Sequence, residues 1–444
     1  MEKTQRRNTV SDLSRRAFLR RASAATVAPL ILPRKLFGAT APSNRITIGM
    51  IGMGRQAYHA NLPAFLNAPD AQVVAVCDVD SWRCEQGRQK VDQFYGGKGC
   101  AVYRDFRELL ARPDIDAVMI STPDHWHVPM AMAAAKAGKD IALEKPLTMS
   151  IAEGRLLADT VCRYGRVFRT DSEFRSSKAN LLAVELVRNG HIGRLHTIRT
   201  GTPREHGTVG SPPPMPLPAE LDYDAWLGPA PAVPYTMERV HAPRQLAARP
   251  GWMRVRDYCD GMILNWGTHL NDIAQWGNNT DRTGPVEVEA RGKYPDDGGL
   301  WDVLIDFEAE YRYANGVKLV YKMDHAFIRF EGDEGWIEVD KGLKAHPRTI
   351  LSGQIGTEEI TFPLKTEKRD FLDAIKTRGT TLEDAEVGHR TASVCHLAHI
   401  SIQLGGRKLR WDPDREVFPD DPLANRLLHR PAFRTTDSRN ISGT

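Results

Sequence analysis

The chain has 444 residues, of which 41% are hydrophobic and 26% charged, proportions typical of a globular enzyme with two or three domains. Its formal net charge of +4 is concentrated at the start, because residues 1–41 hold nine Lys and Arg side chains against two acidic ones. Without that excess of +7, the rest of the chain has a net charge of about −3. Net charge therefore gives no support to nucleic-acid binding.

The first 41 residues have the features of an export signal. A twin arginine, Arg15-Arg16, precedes a weakly apolar run over residues 22–32, and Ala39-Thr40-Ala41 offers a small-residue cleavage pattern. The segment resembles a bacterial twin-arginine (Tat) signal, which implies use of the Tat export machinery and a periplasmic location; the alternative is a disordered basic tail. No later run reaches the ~20 apolar residues of a membrane span, so no membrane association is expected after export.

A dinucleotide-binding turn is predicted behind this segment. Residues 46–51 have the pattern of a buried strand, and the residues that follow have helical spacing. Gly52, Gly54 and Ala57 fit the G-x-G-x-x-G/A fingerprint between the two. The first glycine permits the tight turn, the second lets a pyrophosphate approach the backbone, and Ala57 lets helix and strand pack closely. The amides and dipole of the helix favour phosphate there.

A second buried strand ends at Asp78, near the distance expected for the acid that binds the adenosine ribose. A carboxylate there accepts hydrogen bonds from the ribose hydroxyls and repels a 2′-phosphate, which favours NAD over NADP. The alternative is that Asp78 only caps the next helix.

Strand and helix continue to alternate to residue 165. Buried strands are predicted at residues 117–121 and 140–143, and Gly138 closes the helix between them. The repetition predicts a domain over residues 44–165 with a doubly wound parallel sheet of the Rossmann type. Ligands bind such sheets at the carboxyl ends of the strands. The polar motifs at those ends are Thr122-Pro123 and Glu144-Lys145-Pro146.

The stretch STPDHWHVPMAMAAAKAGKDIALEKPLTMS resembles the Gfo/Idh/MocA family, named for glucose–fructose oxidoreductase, inositol dehydrogenase and a rhizopine-catabolism enzyme. That family shows a TP-x-x-x-H stretch, an A-G-K turn and an E-K-P motif. The matching positions are Thr122, Pro123, His127, Gly138, Lys139, Glu144, Lys145 and Pro146. The resemblance, which extends over residues 44–413, implies that His127 belongs to the cofactor-proximal loop.

Lys145 has a chemical reason to lie at the bottom of a cleft. Its ammonium can hydrogen-bond the hydroxyl being oxidised and stabilise negative charge that develops on that oxygen. The alternative is a lysine that is ion-paired to Glu144.

The second half of the chain changes to period-two alternation. Four such runs lie between residues 195 and 342, and Asn315-Gly316 marks a hairpin between two of them. The pattern predicts an α+β domain over residues 166–413 with a large, mainly antiparallel open sheet, followed by a tail over residues 414–444. The family resemblance implies that this sheet carries the substrate side and builds the contacts of a homo-oligomer, a dimer or a tetramer.

A long proline-rich segment lies between Thr200 and Arg256. Four aromatic side chains within or just after it could face a sugar ring or could only anchor the segment. They are Trp226, Tyr235, Trp252 and Tyr258.

The stretch GMILNWGTHLND, residues 261–272, matches a family pattern that is roughly G-G-x-x-x-D-x-G-x-H-x-x-D. The resemblance implies that His269 is the catalytic histidine, and the helical spacing places Asn265, His269 and Asp272 on one face. Asn265 stands where the family has Asp, so we expect Asp272 to be the carboxylate partner of His269. Without the resemblance, a single helical histidine would more often be structural.

No metal site is predicted from the sequence. The six cysteines form neither a CxxC pair nor a zinc spacing. His396 and His399 are three residues apart on a predicted helix, but no third ligand accompanies them.

Three functions are compatible with the sequence. The first is an NAD(P)-dependent oxidoreductase that transfers hydride between nicotinamide and a hydroxyl or keto carbon of a sugar, inositol or sugar derivative. The second is an NAD-dependent glycoside hydrolase that acts by transient oxidation and elimination, with the tightly bound NAD that export of a preloaded protein would suit. The third, a non-catalytic NAD-binding sugar-binding protein, is supported by Asn265 alone.

Overall fold

The computed structural model describes residues 44–204, 207–353 and 356–430. The predicted export signal, residues 1–41, lies outside those ranges, as does the end of the predicted tail after Arg430. None of the helices in these ranges combines enough length with enough apolar character for a membrane crossing.

Six parallel strands form the first sheet. They are β1 (Ile46–Ile51), β2 (Ala71–Cys77), β3 (Ala101–Tyr103), β4 (Ala117–Ile120), β5 (Asp140–Glu144) and β6 (Phe168–Asp171). Their order is β3-β2-β1-β4-β5-β6, so the winding reverses between β1 and β4 and leaves a crevice at the carboxyl ends of those strands. The predicted doubly wound sheet is confirmed. It extends beyond residue 165, because β6 pairs with β5.

Helices cover both faces of this sheet. They are α1 (Leu62–Leu66), α2 (Ser81–Tyr95), α3 (Phe106–Leu110), α4 (His127–Lys136) and α5 (Ile151–Arg163). Strand β4 is apolar on both faces, because Val118 and Ile120 enter one buried cluster while Ala117 and Met119 enter the other.

Eight strands form the second sheet. They are β7 (Leu195–Pro203), β8 (Glu287–Lys293), β9 (Asp306–Arg312), β10 (Lys318–Asp324), β11 (Phe327–Gly332), β12 (Gly335–Val339), β13 (Leu343–His346) and β14 (Leu409–Arg410). Their order is β13-β12-β11-β7-β10-β9-β8-β14, and every neighbouring pair is antiparallel except β7 with β10. The predicted mainly antiparallel sheet is therefore confirmed. The Asn315-Gly316 hairpin joins β9 to β10, with Gly316 at a φ of 87°.

Seven further helices follow. They are α6 (Lys178–Arg188), α7 (Tyr223–Leu227), α8 (Met262–Asn265), α9 (Gly267–Gly277), α10 (Glu367–Thr377), α11 (Ala385–Gln403) and α12 (Pro422–Arg426). Helices α6, α9 and α11 bury one face of the second sheet. The opposite face carries charged side chains that pair across strands, such as Arg199 with Glu331 and Lys318 with Glu310.

The last part of the chain ties the two sheets together. Helix α10 packs against β5 and β6 of the first sheet, where buried Arg169 pairs with Asp370 at 3.1 Å and with Glu383 at 2.8 Å. Residues 414–430, assigned from sequence to the tail, contribute buried Phe418 and Leu428 to the core of the second sheet.

The proline-rich segment after β7 is anchored by its own apolar cluster. Tyr223, Trp226, Tyr235 and Tyr258 are buried together there. The cluster anchors the proline-rich segment over the carboxyl ends of the first sheet's strands. Residues of the segment between His241 and Met253 line the crevice there.

Candidate active site

A cleft of about 440 Å³ lies at the carboxyl ends of the first sheet's strands. It is lined by residues that follow β1, β2, β4, β5 and β6, by the junction of α8 and α9, and by the segment between His241 and Met253. This is the crevice in which doubly wound sheets bind ligands.

The glycine turn forms one wall of the cleft. A Cβ on Gly52, whose φ is 85°, would lie 2.6 Å from the Ser121 carbonyl oxygen, so only glycine fits between β1 and β4. A Cβ on Gly54 would have only Arg83 nearby, at 3.7 Å, because Gly54 faces the cleft. Ala57 is buried below the turn and does not line the cleft, in agreement with a packing role.

Asp78 braces this turn from the end of β2. Its Oδ2 accepts a hydrogen bond of 2.7 Å from the Met53 amide, and its Oδ1 accepts one of 2.8 Å from the Asp80 amide. The cap of α2 is Asp80 rather than Asp78, so the helix-cap alternative for Asp78 is wrong. Asp78 lines the cleft, and burial raises its pKa while Arg83 opposes that rise.

The residues after β4 include polar atoms that still need partners. Thr122, Pro123 and Asp124 line the cleft. Thr122 Oγ1 and Asp124 Oδ2 are buried and make no hydrogen bond to any described residue. Burial raises the pKa of Asp124 to about 7. Such atoms fit a site that a ligand with hydroxyl or amide groups completes.

His127 lies behind the cleft rather than on its surface. Its Nδ1 is 2.7 Å from the Pro146 carbonyl oxygen and its Nε2 is 3.0 Å from that of Thr122. Burial lowers the pKa of His127 to about 4, so a neutral ring donates to one of these oxygens at a time. His127 therefore positions the two motifs that end β4 and β5.

Glu144 joins a buried network that the sequence did not reveal. Its Oε1 accepts a hydrogen bond of 2.9 Å from Asn61 Nδ2, and Asn61 Oδ1 accepts one of 2.8 Å from Lys368 of α10. Lys368 also pairs with Asp171 at the end of β6. Burial, with repulsion from Asp171, raises the pKa of Glu144 to about 8. Among the described residues Glu144 forms no ion pair with Lys145; the lysine of this network is Lys368, and Lys145 donates to the Asn265 carbonyl oxygen.

Lys145 is held at the end of α8. Its Nζ donates a hydrogen bond of 2.9 Å to the backbone carbonyl oxygen of Asn265, and both residues line the cleft. An ammonium has three N–H donors, so donors remain for a ligand. The side chain of Asn265 does not provide this contact; its backbone does.

His269 lies at the start of α9 and faces the same cleft. Its Nδ1 is 2.8 Å from Ser172 Oγ, and its ring stacks on Phe174 with centroids 4.6 Å apart. Burial, with the nearby Lys145 charge, holds the pKa of His269 well below 6.5. The ring is therefore neutral and able to accept a proton.

Asp272 has a different partner from the one expected. Its Oδ1 and Oδ2 accept hydrogen bonds of 2.6 and 2.8 Å from Arg175, and Asp272 is fully buried away from the cleft. The expected support of His269 by Asp272 is wrong. Asn265 and His269 both line the cleft, although a break at Trp266 separates α8 from α9. Asp272, on the same helix as His269, faces Arg175 instead.

The aromatic residues of the proline-rich segment divide into two groups. Trp226 and Trp252 line the cleft, whereas Tyr235 and Tyr258 only anchor the segment.

Two arginines of the first domain hold the proline-rich segment over the cleft. Arg55 Nε donates a hydrogen bond of 3.1 Å to the Ala247 carbonyl oxygen, and Arg83 Nη2 donates one of 3.0 Å to that of Gln245.

No group of three or more His, Cys, Asp or Glu side chains within residues 44–204, 207–353 and 356–430 has the arrangement of a metal site. His396 is 3.2 Å from the Thr148 carbonyl oxygen, and His399 is 2.9 Å from the Tyr294 hydroxyl. Both histidines therefore satisfy ordinary buried contacts.

The cleft fits a dinucleotide. The glycine turn leaves backbone exposed at Gly54, Asp78 offers carboxylate oxygens at the end of β2, and Thr122 carries an unpartnered hydroxyl at the end of β4. Lys145 and His269 line the same space.

Two models of one oxidoreductase family match the chain. The model described as "Oxidoreductase family, NAD-binding Rossmann fold" matches residues 46–172, and the one described as "Oxidoreductase family, C-terminal alpha/beta domain" matches residues 206–437. The first model ends just after β6, the last strand of the first sheet, and the second model begins after β7.

Among curated proteins, the chain is similar to an alpha-N-acetylgalactosaminidase of Shewanella oneidensis, with 30% identity over 180 residues. That alignment covers 39% of this chain and 39% of the relative, so the similarity spans about two fifths of the relative's length.

Two solved structures share the fold. The aldose-aldose oxidoreductase of Caulobacter crescentus complexed with glycerol has a TM-score of 0.61 at 19% identity, over 82% of this chain and 99% of the other. The WlbA dehydrogenase of Bordetella pertussis in complex with NADH and UDP-GlcNAcA has a TM-score of 0.59 at 16% identity, over 83% and 99%.

Proposed function

The chain belongs to the Gfo/Idh/MocA oxidoreductase family, with an NAD-binding Rossmann domain, and we propose that it is an NAD-dependent oxidoreductase acting on sugars, inositols or sugar derivatives. One observation carries the proposal: Lys145 and His269 line the same cleft as the glycine turn and Asp78. The reaction interconverts a hydroxyl-bearing carbon and a keto carbon.

The proton transfers follow from the contacts of the two residues. His269 takes the hydroxyl proton through Nε2, because Ser172 occupies Nδ1. Lys145, fixed by the Asn265 carbonyl, donates a hydrogen bond to the substrate oxygen and stabilises its developing negative charge. The chemistry supplied by bound NAD is hydride acceptance at the nicotinamide ring.

The test is nicotinamide absorbance on a panel of sugars and inositols, with Lys145→Met and His269→Gln as variants. Each should lower kcat/KM by about 10²-fold or more while the affinity for NAD changes less than about twofold. Lys136→Met, on the exposed end of α4, is the matched control and should behave as the parent protein. Equal losses in turnover and NAD affinity would contradict the assigned roles.

A second activity is favoured by the curated relative, which is an alpha-N-acetylgalactosaminidase. In the alternative that we propose, a glycoside bound beside His269 and Lys145 would be oxidised transiently, lose its aglycone by elimination, add water and be reduced again, and bound NAD would supply the hydride exchange. Release of reducing sugar from aryl glycosides without added NAD would favour this activity. Nicotinamide reduction that is stoichiometric with substrate would favour the dehydrogenase.

Extraction of the cofactor from the purified protein separates the same two activities. Tightly bound NAD would support internal recycling, whereas a site that binds NAD only on addition would support a conventional dehydrogenase. If no substrate changes nicotinamide absorbance and no glycoside is cleaved, the third function, non-catalytic sugar binding, is favoured.

We also propose, from residues 1–41, that the Tat machinery exports the protein to the periplasm. Replacement of Arg15 and Arg16 by lysine should retain it in the cytoplasmic fraction. From the family resemblance we propose a dimer or tetramer, which sedimentation of the purified protein tests.

A further inference from the structure

We propose that Ser172 and Glu173 together replace the carboxylate that usually supports a general-base histidine, with Ser172 orienting His269 and Glu173 stabilising its charged form. Both are positioning residues, and the proposal rests on the proposed function of His269. They follow β6 directly, at the carboxyl edge of the first sheet.

The acidic groups that could otherwise serve are committed elsewhere. Both carboxylate oxygens of Asp272 are bound by Arg175, and Asp171 pairs with Lys368. Asn265, where the family has Asp, cannot ionise. The charged groups that face His269 are Lys145, which follows β5, and Glu173.

Ser172 fixes the tautomer of the ring. It is fully buried, its Oγ is 2.8 Å from His269 Nδ1, and its amide donates a hydrogen bond of 2.9 Å to the Thr170 carbonyl oxygen. When Oγ accepts from Nδ1–H, the lone pair of Nε2 is available to the substrate. The stacked ring of Phe174, inclined by 19°, holds the plane of the imidazole.

Glu173 supplies the missing charge from the solvent side. Its Oε2 is 3.8 Å from His269 Nδ1, its side chain is 57% exposed, and it lines the cleft. A carboxylate at this distance attracts an imidazolium but gains little from a neutral ring. Its effect is therefore concentrated in the transition state, when His269 takes up the proton.

The first measurement is the pH dependence of kcat/KM. Loss of the Glu173 charge lowers the pKa of His269, so the acid limb of Glu173→Gln should move to lower pH by about 0.5 unit while kcat falls by up to about threefold. Ser172→Ala should lower kcat about tenfold, with KM and NAD affinity within about twofold of the parent. Glu289→Gln, at an exposed position of β8, is the matched control for loss of one surface carboxylate.

Salt separates a charge effect from a structural one. Because Glu173 is exposed, added salt should narrow the difference between the acid limbs of the parent protein and Glu173→Gln, whereas screening of Lys145 acts on both proteins alike. An acid limb in Glu173→Gln that coincides with that of the parent protein overturns the role of Glu173. An unchanged kcat in Ser172→Ala overturns the role of Ser172.

The proposal is also testable without turnover. In protein labelled at histidine, the ring resonance of His269 is assigned by its loss in His269→Gln, and its pKa is titrated by NMR. A lower pKa in Glu173→Gln than in the parent and in Glu289→Gln supports the coupling even if no substrate is found. Turnover that requires His269, together with an unchanged pKa, rejects the coupling and leaves the proposed function standing.

Discussion

The Arg175 guanidinium forms two parallel hydrogen bonds with the Asp272 carboxylate, Nη2 to Oδ1 at 2.6 Å and Nε to Oδ2 at 2.8 Å. Both side chains are almost completely buried, and the ring of Trp276 lies 4.8 Å from the guanidinium. The pair joins the segment after β6 to α9, the helix that carries His269. It therefore fixes the position of the base without contacting it.

We expect Asp272→Asn to destabilise the protein by up to about 3 to 5 kcal/mol, because it removes the bidentate carboxylate from a buried guanidinium and leaves Asp281, at 3.3 Å, as its paired carboxylate. Denaturant unfolding measures this cost. Arg194→Ala, which removes an exposed pair with Asp333, should change stability by less than about 1 kcal/mol. If Asp272 were instead the catalytic partner of His269, kcat would collapse with the unfolding midpoint unchanged.

The prediction that Asp272 supports His269 was wrong because helical spacing alone does not identify the partner of a side chain. A three-residue offset predicts that Asp272 lies near His269 on the helix surface, but it does not reveal which element packs there. The residues that do support His269, Ser172 and Glu173, lie 97 and 96 positions earlier in the chain. Recognition of β6 as a strand would have drawn attention to them, because ligand residues follow strands in such sheets.

The two glycines of the turn should give different defects when each is replaced by alanine. Gly52→Ala places a Cβ against the Ser121 backbone at a positive φ, so we expect a lower thermal midpoint and weaker NAD binding. Gly54→Ala meets no backbone atom, so we expect an unchanged midpoint with NAD affinity reduced about tenfold or more, because the pyrophosphate can no longer approach. Scanning calorimetry measures the thermal midpoint of each variant, and titration calorimetry measures its affinity for NAD. Equal effects on stability would contradict the assignment of the two positions.

Asp78 should set the choice between NAD and NADP. Its carboxylate lies at the end of β2 and lines the cleft, so a 2′-phosphate would meet negative charge there. We expect the parent protein to bind NAD at least about tenfold more tightly than NADP. Asp78→Asn should narrow that ratio, since it removes the charge and keeps an oxygen for the Met53 amide. Asp92→Asn on α2, away from the cleft, controls for loss of charge on the same domain. Equal affinities in the parent protein would contradict the role of Asp78.

The fold could be predicted from the sequence more completely than the buried contacts of the site. The alternation of apolar strands with helices that end at glycine fixes the first sheet locally, and Asn315-Gly316 fixes a hairpin of the second. The network around Glu144 could not be predicted in this way, because Lys368 and Asn61, which are hydrogen-bonded, are 307 positions apart in the chain. No local pattern in α10 distinguishes that lysine from one exposed to solvent.

That network should give the protein a characteristic pH dependence. The pKa of Glu144 is raised from 4.5 to about 8, so between these values the folded protein binds a proton that the unfolded chain releases. The stabilisation is therefore complete below about pH 4.5 and is lost as the pH rises through 8, by at most about 1.4 kcal/mol per unit.

Glu144→Gln removes this titration and keeps an oxygen to accept from Asn61 Nδ2. Denaturant midpoints measured between about pH 5 and about pH 8 should therefore fall more steeply for the parent protein than for the variant. Asp124, whose pKa is also raised, contributes a slope that both proteins share. Asp171 repels Glu144 in the same network, so the difference between the two curves reports the titration of Glu144 together with its effect on Asp171. Glu289→Gln should follow the parent curve. Parallel curves for Glu144→Gln and the parent would mean that Glu144 is ionised in the folded protein and that Lys368 neutralises it.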